Sequence, residues 1–125
     1  MVLGLGIDLL ETGRVETELS RGEWLPADGV FTAGEIAHCS ASDEPALRYA
    51  ACFAAKEATL KALGIPVGDL SWFREVEVMP AGEGGYRVVL QGRPKAGSER
   101  LGVRSIALSI ARDAHRTVAL VMLED

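Results

Sequence analysis

The sequence predicts an α+β fold with a mostly antiparallel sheet. An apolar run at residues 2–10 is typical of a strand, and residues 46–63 are rich in helix-forming residues. Alternating segments joined by short polar turns follow, and strands connected in this way pair antiparallel. The chain has 125 residues, the usual size of one domain, so we expect residues 1–125 to form a single domain.

The first part of the chain is predicted to hold a buried strand and two short helices. Residues 2–10 are predicted to form the strand. Asp8 stands directly after its apolar part and is therefore expected at the edge of the sheet rather than in its middle, although a turn or helix N-cap aspartate fits the same pattern. Thr32 followed by Glu35 is a capping-box pattern, which predicts that a short helix begins there. The adjoining segments are a helix-permissive stretch at residues 11–23 and a loop at residues 24–29.

The strongest local pattern is a long helix at residues 46–63, which contain no Gly or Pro. Pro45 ends a polar loop at residues 40–45 and opens this helix, and Gly64 ends it, with Pro66 just beyond. The remaining predicted elements are strands at residues 75–78, 86–90, 105–110 and 117–123, turns at residues 81–85 and 112–115, and a short helix at residues 95–101 closed by Gly102.

Composition excludes several classes of protein. A chain with 48% hydrophobic and 25% charged residues can bury a core, which excludes wholesale disorder and a fibrous protein. Its net charge of −5 argues against general attraction to nucleic acid or anionic membranes. Cys39 and Cys52 form no CxxC pattern, which argues against a zinc site and a disulfide framework. Residues 1–8 resemble neither a signal peptide nor a membrane span, so we expect a cytoplasmic protein.

One stripe of the long helix carries candidate chemistry. Phe53, Glu57 and Lys61 follow one another at i, i+4 and i+8 and therefore share a face. Taken alone, this spacing favours a solvated i, i+4 ion pair between Glu57 and Lys61 on a helix that buries its alanines.

Together, the motifs resemble the holo-acyl carrier protein synthase family of small phosphopantetheinyl transferases. Residues 4–11 read GLGIDLLE and, with Arg14, look like the opening strand and helix of that family. Residues 31–35 look like its F-T-x-x-E segment. Residues 53–64, with Arg48 before them, are similar to its R-F-A-A-K-E-A-x-x-K-A-L-G helix, which is the longest and most specific of these motifs.

The resemblance implies transfer of 4′-phosphopantetheine from coenzyme A to a serine of an acyl carrier protein, with release of adenosine 3′,5′-bisphosphate. Asp8 and Glu57 would hold Mg²⁺, and Glu57, directly or through a metal-bound water, would accept the proton of the serine. Lys61 would contact the phosphates. Family members are commonly trimers with the cofactor between subunits, so we expect Asp8 from one chain and Glu57 from the next.

Further contacts to coenzyme A are implied by the same resemblance. Arg48 or Lys56 would meet the 3′-phosphate, although a solvated face explains either residue nearly as well. Phe53 would lie at the cleft for cofactor and carrier, although such a residue is more often part of the core, and Gly64 would lie near the cofactor. Glu35 is either a capping residue alone or an auxiliary of the site.

The C-terminal hairpin departs from the family pattern. The family motif H-x-S-x-S-H is replaced at residues 107–112, where Ala107 and Arg112 take the places of the two histidines. His115 is expected in a surface turn, and the G-K-P turn of the family reads Gly-Gly-Tyr at residues 84–86. Arg112 would serve as a substitute phosphate donor. We expect weaker binding of coenzyme A, and the alternative is a degenerate paralogue that binds a carrier or nucleotide without turnover.

Docking of an acidic carrier requires cations, and Arg14 and Arg21 lie two helical turns apart on one face. Arg14 matches a docking position of the family. The same segment also holds four acidic residues, Glu11, Glu16, Glu18 and Glu23, which predicts weak overall steering and a narrow carrier preference. These residues do not distinguish a carrier of fatty acid, polyketide or peptide synthesis.

Overall fold

The computed structural model describes residues 1–22, 29–66 and 70–125. Its strands are β1 (Val2–Glu11), β2 (Val76–Ala81), β3 (Gly85–Leu90), β4 (Ser105–Arg112) and β5 (Arg116–Glu124). Its helices are α1 (Thr12–Ser20), α2 (Ala33–Ser40), α3 (Pro45–Ala62) and α4 (Gly92–Leu101), with a 3₁₀ helix at Leu70–Glu75.

The strands form two antiparallel sheets, one with the order β1-β5-β4 and one made of the β2-β3 hairpin. Helix α3 packs on the inner face of the three-stranded sheet, so the core lies between this helix and the buried positions of β1 and β5. This arrangement confirms the predicted α+β class and the antiparallel pairing. None of the described helices is both long and apolar enough to cross a membrane.

Local signals place the helix ends close to their predicted positions. Thr32 Oγ1 accepts a hydrogen bond from the backbone of Glu35, and Glu35 accepts one from the backbone of Thr32, so the predicted capping box is confirmed at the start of α2. Helix α3 begins at Pro45 and is followed by Gly64 with φ +70°. Gly102 caps α4 in the left-handed region, with φ +81°.

Some boundaries differ from the prediction. Helix α1 ends at Ser20, and α4 begins at Gly92, earlier than the predicted start at residue 95. Nothing in the sequence pattern indicated the 3₁₀ helix. Most of the predicted loop at residues 24–29 lies outside the described residues, which resume at Gly29.

Asp8 lies within β1 rather than after it, which corrects the sequence prediction. It pairs with Ala119 of β5, and the register continues to Glu11 opposite Arg116. Because Gly6, Asp8 and Leu10 alternate along the buried side of β1, the Asp8 side chain faces α3. It is therefore neither a turn aspartate nor a helix cap.

Candidate active site

Two glycines allow α3 to lie directly against the backbone of β1. A methyl group on Gly6 would overlap the carbonyl oxygen of Ala58, and one on Gly4 would overlap that of Ala62. The facing side of α3 is correspondingly small, since Ala54, Ala55 and Ala58 are fully buried. This close approach brings the following residues of α3 to Asp8.

Lys61 and Asp8 form a partly buried ion pair. Lys61 Nζ lies 3.2 Å from Asp8 Oδ1 and also donates to the carbonyl oxygen of Ile7 at 3.3 Å. The Asp8 side chain is only 9% exposed, and its second oxygen, Oδ2, is buried with no hydrogen-bond partner in the described part of the chain. Asp8 therefore keeps one buried acceptor without a donor, which is costly unless a cation or donor reaches it.

Glu57 is half-buried beside Asp8. Burial raises the pKa of Glu57, and a hydrogen bond with Asp8 and the negative charge of Asp8 raise it further, while Lys61 and Arg14 oppose this rise. Two carboxyl groups within hydrogen-bonding contact are disfavoured when both are ionised. Glu57 is thus a neighbour of Asp8 rather than one half of a solvated pair with Lys61.

These residues fit a hard divalent cation. Mg²⁺ prefers oxygen ligands and commonly uses one or two protein carboxylates, completing its shell with phosphate and water. Asp8 Oδ2 is buried without a hydrogen-bond partner among the described residues, and burial beside Asp8 raises the pKa of Glu57, so a bound cation would favour the ionised form of both groups. The described residues hold no group of three or more His, Cys, Asp or Glu side chains placed for a metal, so two carboxylates are what this site supplies.

The division of these carboxylates between two subunits is wrong. Asp8 and Glu57 interact within one chain, because the contact between β1 and α3 joins them directly. A neighbouring chain is not needed to bring them together.

Lys56 is also misassigned by the sequence prediction. Its side chain is fully buried, and Nζ lies 2.6 Å from Glu35 Oε1 while donating to the carbonyl oxygens of Phe73 and Val76 at 2.7 and 2.6 Å. Neither a phosphate contact nor a solvated position is open to it. Glu35 is likewise internal, and its Oε2 accepts from the Val78 backbone at 2.8 Å. Glu35 therefore caps α2 and pairs with Lys56.

Arg48 and Arg112 lie near the N-terminal end of α3, whereas Glu57 lies toward its C-terminal end. Arg48 Nη1 donates to the Tyr86 hydroxyl at 2.8 Å, and Arg112 Nη2 lies 3.8 Å from Glu44 Oε2. Arg48 precedes Glu57 by nine positions, and Glu44, the partner of Arg112, precedes it by 13, which correspond to about 14 and 20 Å along a helix. Within one chain, these arginines and the Asp8–Glu57 pair therefore form two separate clusters.

The other predicted residues occupy varied positions. Phe53 is partly buried and stacks on Phe73 with ring centroids 5.1 Å apart. Gly64 is exposed just after α3. Ala107 lies on the exposed side of β4, and His115 is exposed in the turn between β4 and β5, as predicted.

Arg14 lies close to the carboxylate pair. Its Nε is 2.8 Å from Glu18 Oε1, and its pKa is raised first by this hydrogen bond and charge and then by the more distant charges of Glu57 and Asp8. Arg21 follows α1 as its C-cap, keeps helical geometry and is exposed. The two arginines therefore share a face of α1, as the spacing predicts.

Sequence reasoning missed the outer face of the three-stranded sheet. Leu5, Ile7 and Leu9 of β1 are 62%, 60% and 59% exposed, and Leu120 of β5 lies in the same sheet at 43%. The signal was present, because a strand with apolar residues at both alternating positions needs cover on both faces. In the single chain only one face of β1 is covered.

A carboxylate pair with an adjacent lysine is compatible with metal-assisted transfer of a phosphate-linked group. A family model described as the 4′-phosphopantetheinyl transferase superfamily matches residues 4–119. The chain belongs to this superfamily, which confirms the resemblance seen in its motifs. Holo-[acyl-carrier-protein] synthase of Anaeromyxobacter sp. (strain K) is 41% identical over 128 residues, covering 99% of this chain and 97% of that protein.

Solved structures agree with this assignment. The holo-[acyl-carrier-protein] synthase of Neisseria meningitidis matches with a TM-score of 0.84 and 25% identity, covering 100% of both chains. The holo-(acyl-carrier-protein) synthase of Bacillus anthracis, in complex with CoA (3′,5′-ADP), matches with a TM-score of 0.77 and 26% identity, covering 98% of this chain and 96% of that one.

Proposed function

We propose that this protein transfers 4′-phosphopantetheine from coenzyme A to a serine hydroxyl of an acyl carrier protein, releasing adenosine 3′,5′-bisphosphate. Membership of the superfamily and nearly full-length similarity to a holo-[acyl-carrier-protein] synthase support this reaction. The observation that carries it is the cluster of Asp8, Glu57 and Lys61, in which one buried carboxylate oxygen lacks a partner.

Asp8 and Glu57 are the residues that would hold Mg²⁺. When bound, the ion would neutralise charge on the pyrophosphate of coenzyme A and polarise its phosphorus–oxygen bonds. Removal of the ion should abolish transfer, because two carboxylates side by side repel an anionic substrate.

Glu57 is the candidate general base. The serine oxygen forms a new bond to phosphorus, its proton passes to Glu57, and the bond between phosphorus and the bridging oxygen breaks. Adenosine 3′,5′-bisphosphate leaves with the electron pair of that bond. A pKa raised by burial and by Asp8 makes Glu57 a better proton acceptor than an ordinary carboxylate. Lys61 would donate hydrogen bonds to the phosphate oxygens as charge develops on the leaving group.

We further propose a homotrimer in which coenzyme A lies between subunits. The exposed apolar face containing Leu5, Ile7 and Leu9 supports association, since monomeric proteins rarely expose contiguous apolar surfaces of this kind. One chain would supply the Asp8–Glu57 pair, and the end of a neighbouring chain near Arg48 and Arg112 would meet the nucleotide. This replaces the division expected from the sequence, and it would let Arg48 and Arg112 contact a coenzyme A molecule bound at the carboxylate pair of the neighbouring chain.

Mass spectrometry of an apo carrier protein incubated with coenzyme A and Mg²⁺ tests the reaction. The expected result is a mass gain of one phosphopantetheine group, which is lost with Glu57→Gln or with a carrier whose acceptor serine is replaced by alanine. The replacement of two family histidines by Ala107 and Arg112 favours one second candidate, a paralogue without turnover. Carrier binding without any mass gain would support that candidate instead.

A further inference from the structure

Helix α1 presents alternating charges along one stripe. Arg14, Glu18 and Arg21 follow at i, i+4 and i+7, so a negative charge lies between two positive ones. The family resemblance implies that an acidic carrier docks at Arg14, so the inference below rests on the proposed function. Glu18 has no part in the chemistry proposed above.

The contact between Arg14 and Glu18 leaves most of the Arg14 side chain exposed to solvent. Glu18 Oε1 is bound by Arg14 Nε at 2.8 Å, and the Arg14 side chain is 63% exposed. The Nη groups of Arg14 therefore remain available for a carboxylate of a partner. A partner that uses them approaches within a few ångströms of the negative charge on Glu18.

The Glu18 side chain is mostly buried. Its side chain is only 16% exposed, and its Oε2 is buried with no hydrogen-bond partner among the described residues. A carboxylate that is poorly hydrated is also poorly screened, so its charge acts more strongly on its surroundings than that of a fully exposed glutamate.

We propose that Glu18 is a specificity-determining residue that opposes the docking of strongly acidic carriers on α1. Glu18 binds Arg14 through Nε and repels a second carboxylate that approaches the Nη groups of the same guanidinium. A carrier that places a basic or uncharged side chain opposite Glu18, between acidic side chains opposite Arg14 and Arg21, avoids this repulsion. The stripe thus selects a carrier by its charge pattern rather than by its total charge.

Replacing Glu18 tests the inference. Glu18→Gln keeps an oxygen that can accept from Arg14 Nε but removes the charge, and it should lower the KM for a strongly acidic carrier about three- to tenfold. The KM for coenzyme A should change less than twofold. The gain should shrink as salt is raised, because screening weakens repulsion. Glu18→Ala should act in the same direction, and thermal melting shows that each variant is folded.

Glu16→Gln is the matched control, since it removes the same charge from the exposed surface of α1 at a position off the Arg14 stripe. It should leave the carrier KM within twofold of wild type. An equal gain from Glu16→Gln, an unchanged carrier KM with both Glu18 variants, or a raised KM with Glu18→Gln would overturn the inference. If wild-type protein transfers no phosphopantetheine, the proposed function fails instead, so the two failures are distinguishable.

Discussion

At the scale of single residues, the two carboxylates of the candidate site, Asp8 and Glu57, have different surroundings. Asp8 receives one hydrogen bond from Lys61 through Oδ1, while Oδ2 remains without a partner in the described structure. Glu57 has a raised pKa because it is partly buried beside Asp8. Both features destabilise the metal-free protein, and such local cost is typical of sites arranged for binding or catalysis.

Glu57→Gln should therefore stabilise the metal-free protein while abolishing transfer. A carboxyl group with a raised folded-state pKa contributes most to stability when it is protonated, so the wild type loses stability as the pH rises through that pKa. Glu57→Gln should not show this loss of stability with rising pH. Thermal melting across the acidic to neutral range measures it, with and without Mg²⁺.

Mg²⁺ should raise the Tm of the wild type but not that of Glu57→Gln, because the variant lacks one ligand. An equal rise in both proteins would contradict the assignment of Glu57 as a ligand.

The position of Lys56 shows what helical spacing does and does not reveal. Periodicity correctly groups Phe53, Glu57 and Lys61, but it gives no information on what covers the opposite side of α3. The apolar residues that share the face of Lys56, namely Tyr49, Cys52 and Leu60, were a usable signal, since an apolar helix face is buried. Only the packing of Glu35 against Lys56 identifies the partner.

At the scale of elements, the contact between β1 and α3 positions the site. It depends on Gly6, where any side chain would meet the carbonyl oxygen of Ala58. Helix α3 was predictable within about one residue because Pro45 and Gly64 mark its ends locally. The place of Asp8 inside β1 was not, because it depends on pairing with Ala119, more than 100 residues away in the chain.

Gly6→Ala should destabilise the protein by about 3 kcal/mol or more and separate Asp8 from Glu57, because the added methyl group overlaps backbone that cannot shift freely. Denaturant unfolding measures the loss of stability, and transfer activity should fall with it. Gly13→Ala is a suitable control, since nothing lies within 4 Å of the added methyl group. It should be neutral or stabilise by about 0.5–1 kcal/mol. Equal stability of the two variants would rule out the close packing described above.

At the scale of the whole molecule, two features of the single chain favour its association with further copies. The outer face of the β1-β5-β4 sheet is apolar and uncovered, and Arg48 lies about 14 Å along α3 from Glu57. A net charge of −5 makes local recognition necessary, because both proposed substrates are anionic. Association through the outer face would cover the first feature and join the two clusters across subunits.

Ile7→Lys should disrupt the proposed trimer, since it places a charge in the centre of the apolar face. Sedimentation analysis should give a trimer for the wild type and a monomer for the variant, with transfer activity reduced at least tenfold. Leu101→Lys is the control, because Leu101 is 44% exposed on α4, away from this sheet. A wild-type monomer with full activity would contradict the shared site.

We propose that Asp8 and Glu57 act from the same chain, and mixed oligomers distinguish this arrangement from a pair divided between subunits. Asp8→Asn and Glu57→Gln should each abolish phosphopantetheine transfer, and the two variants can be unfolded together and refolded as a mixture. The account predicts no recovery of activity in the mixture, because no chain in it carries both carboxylates. As a control for subunit mixing, Asp8→Asn refolded with Arg48→Ala should regain part of the activity. Recovery of transfer in the mixture of Asp8→Asn and Glu57→Gln would contradict the account.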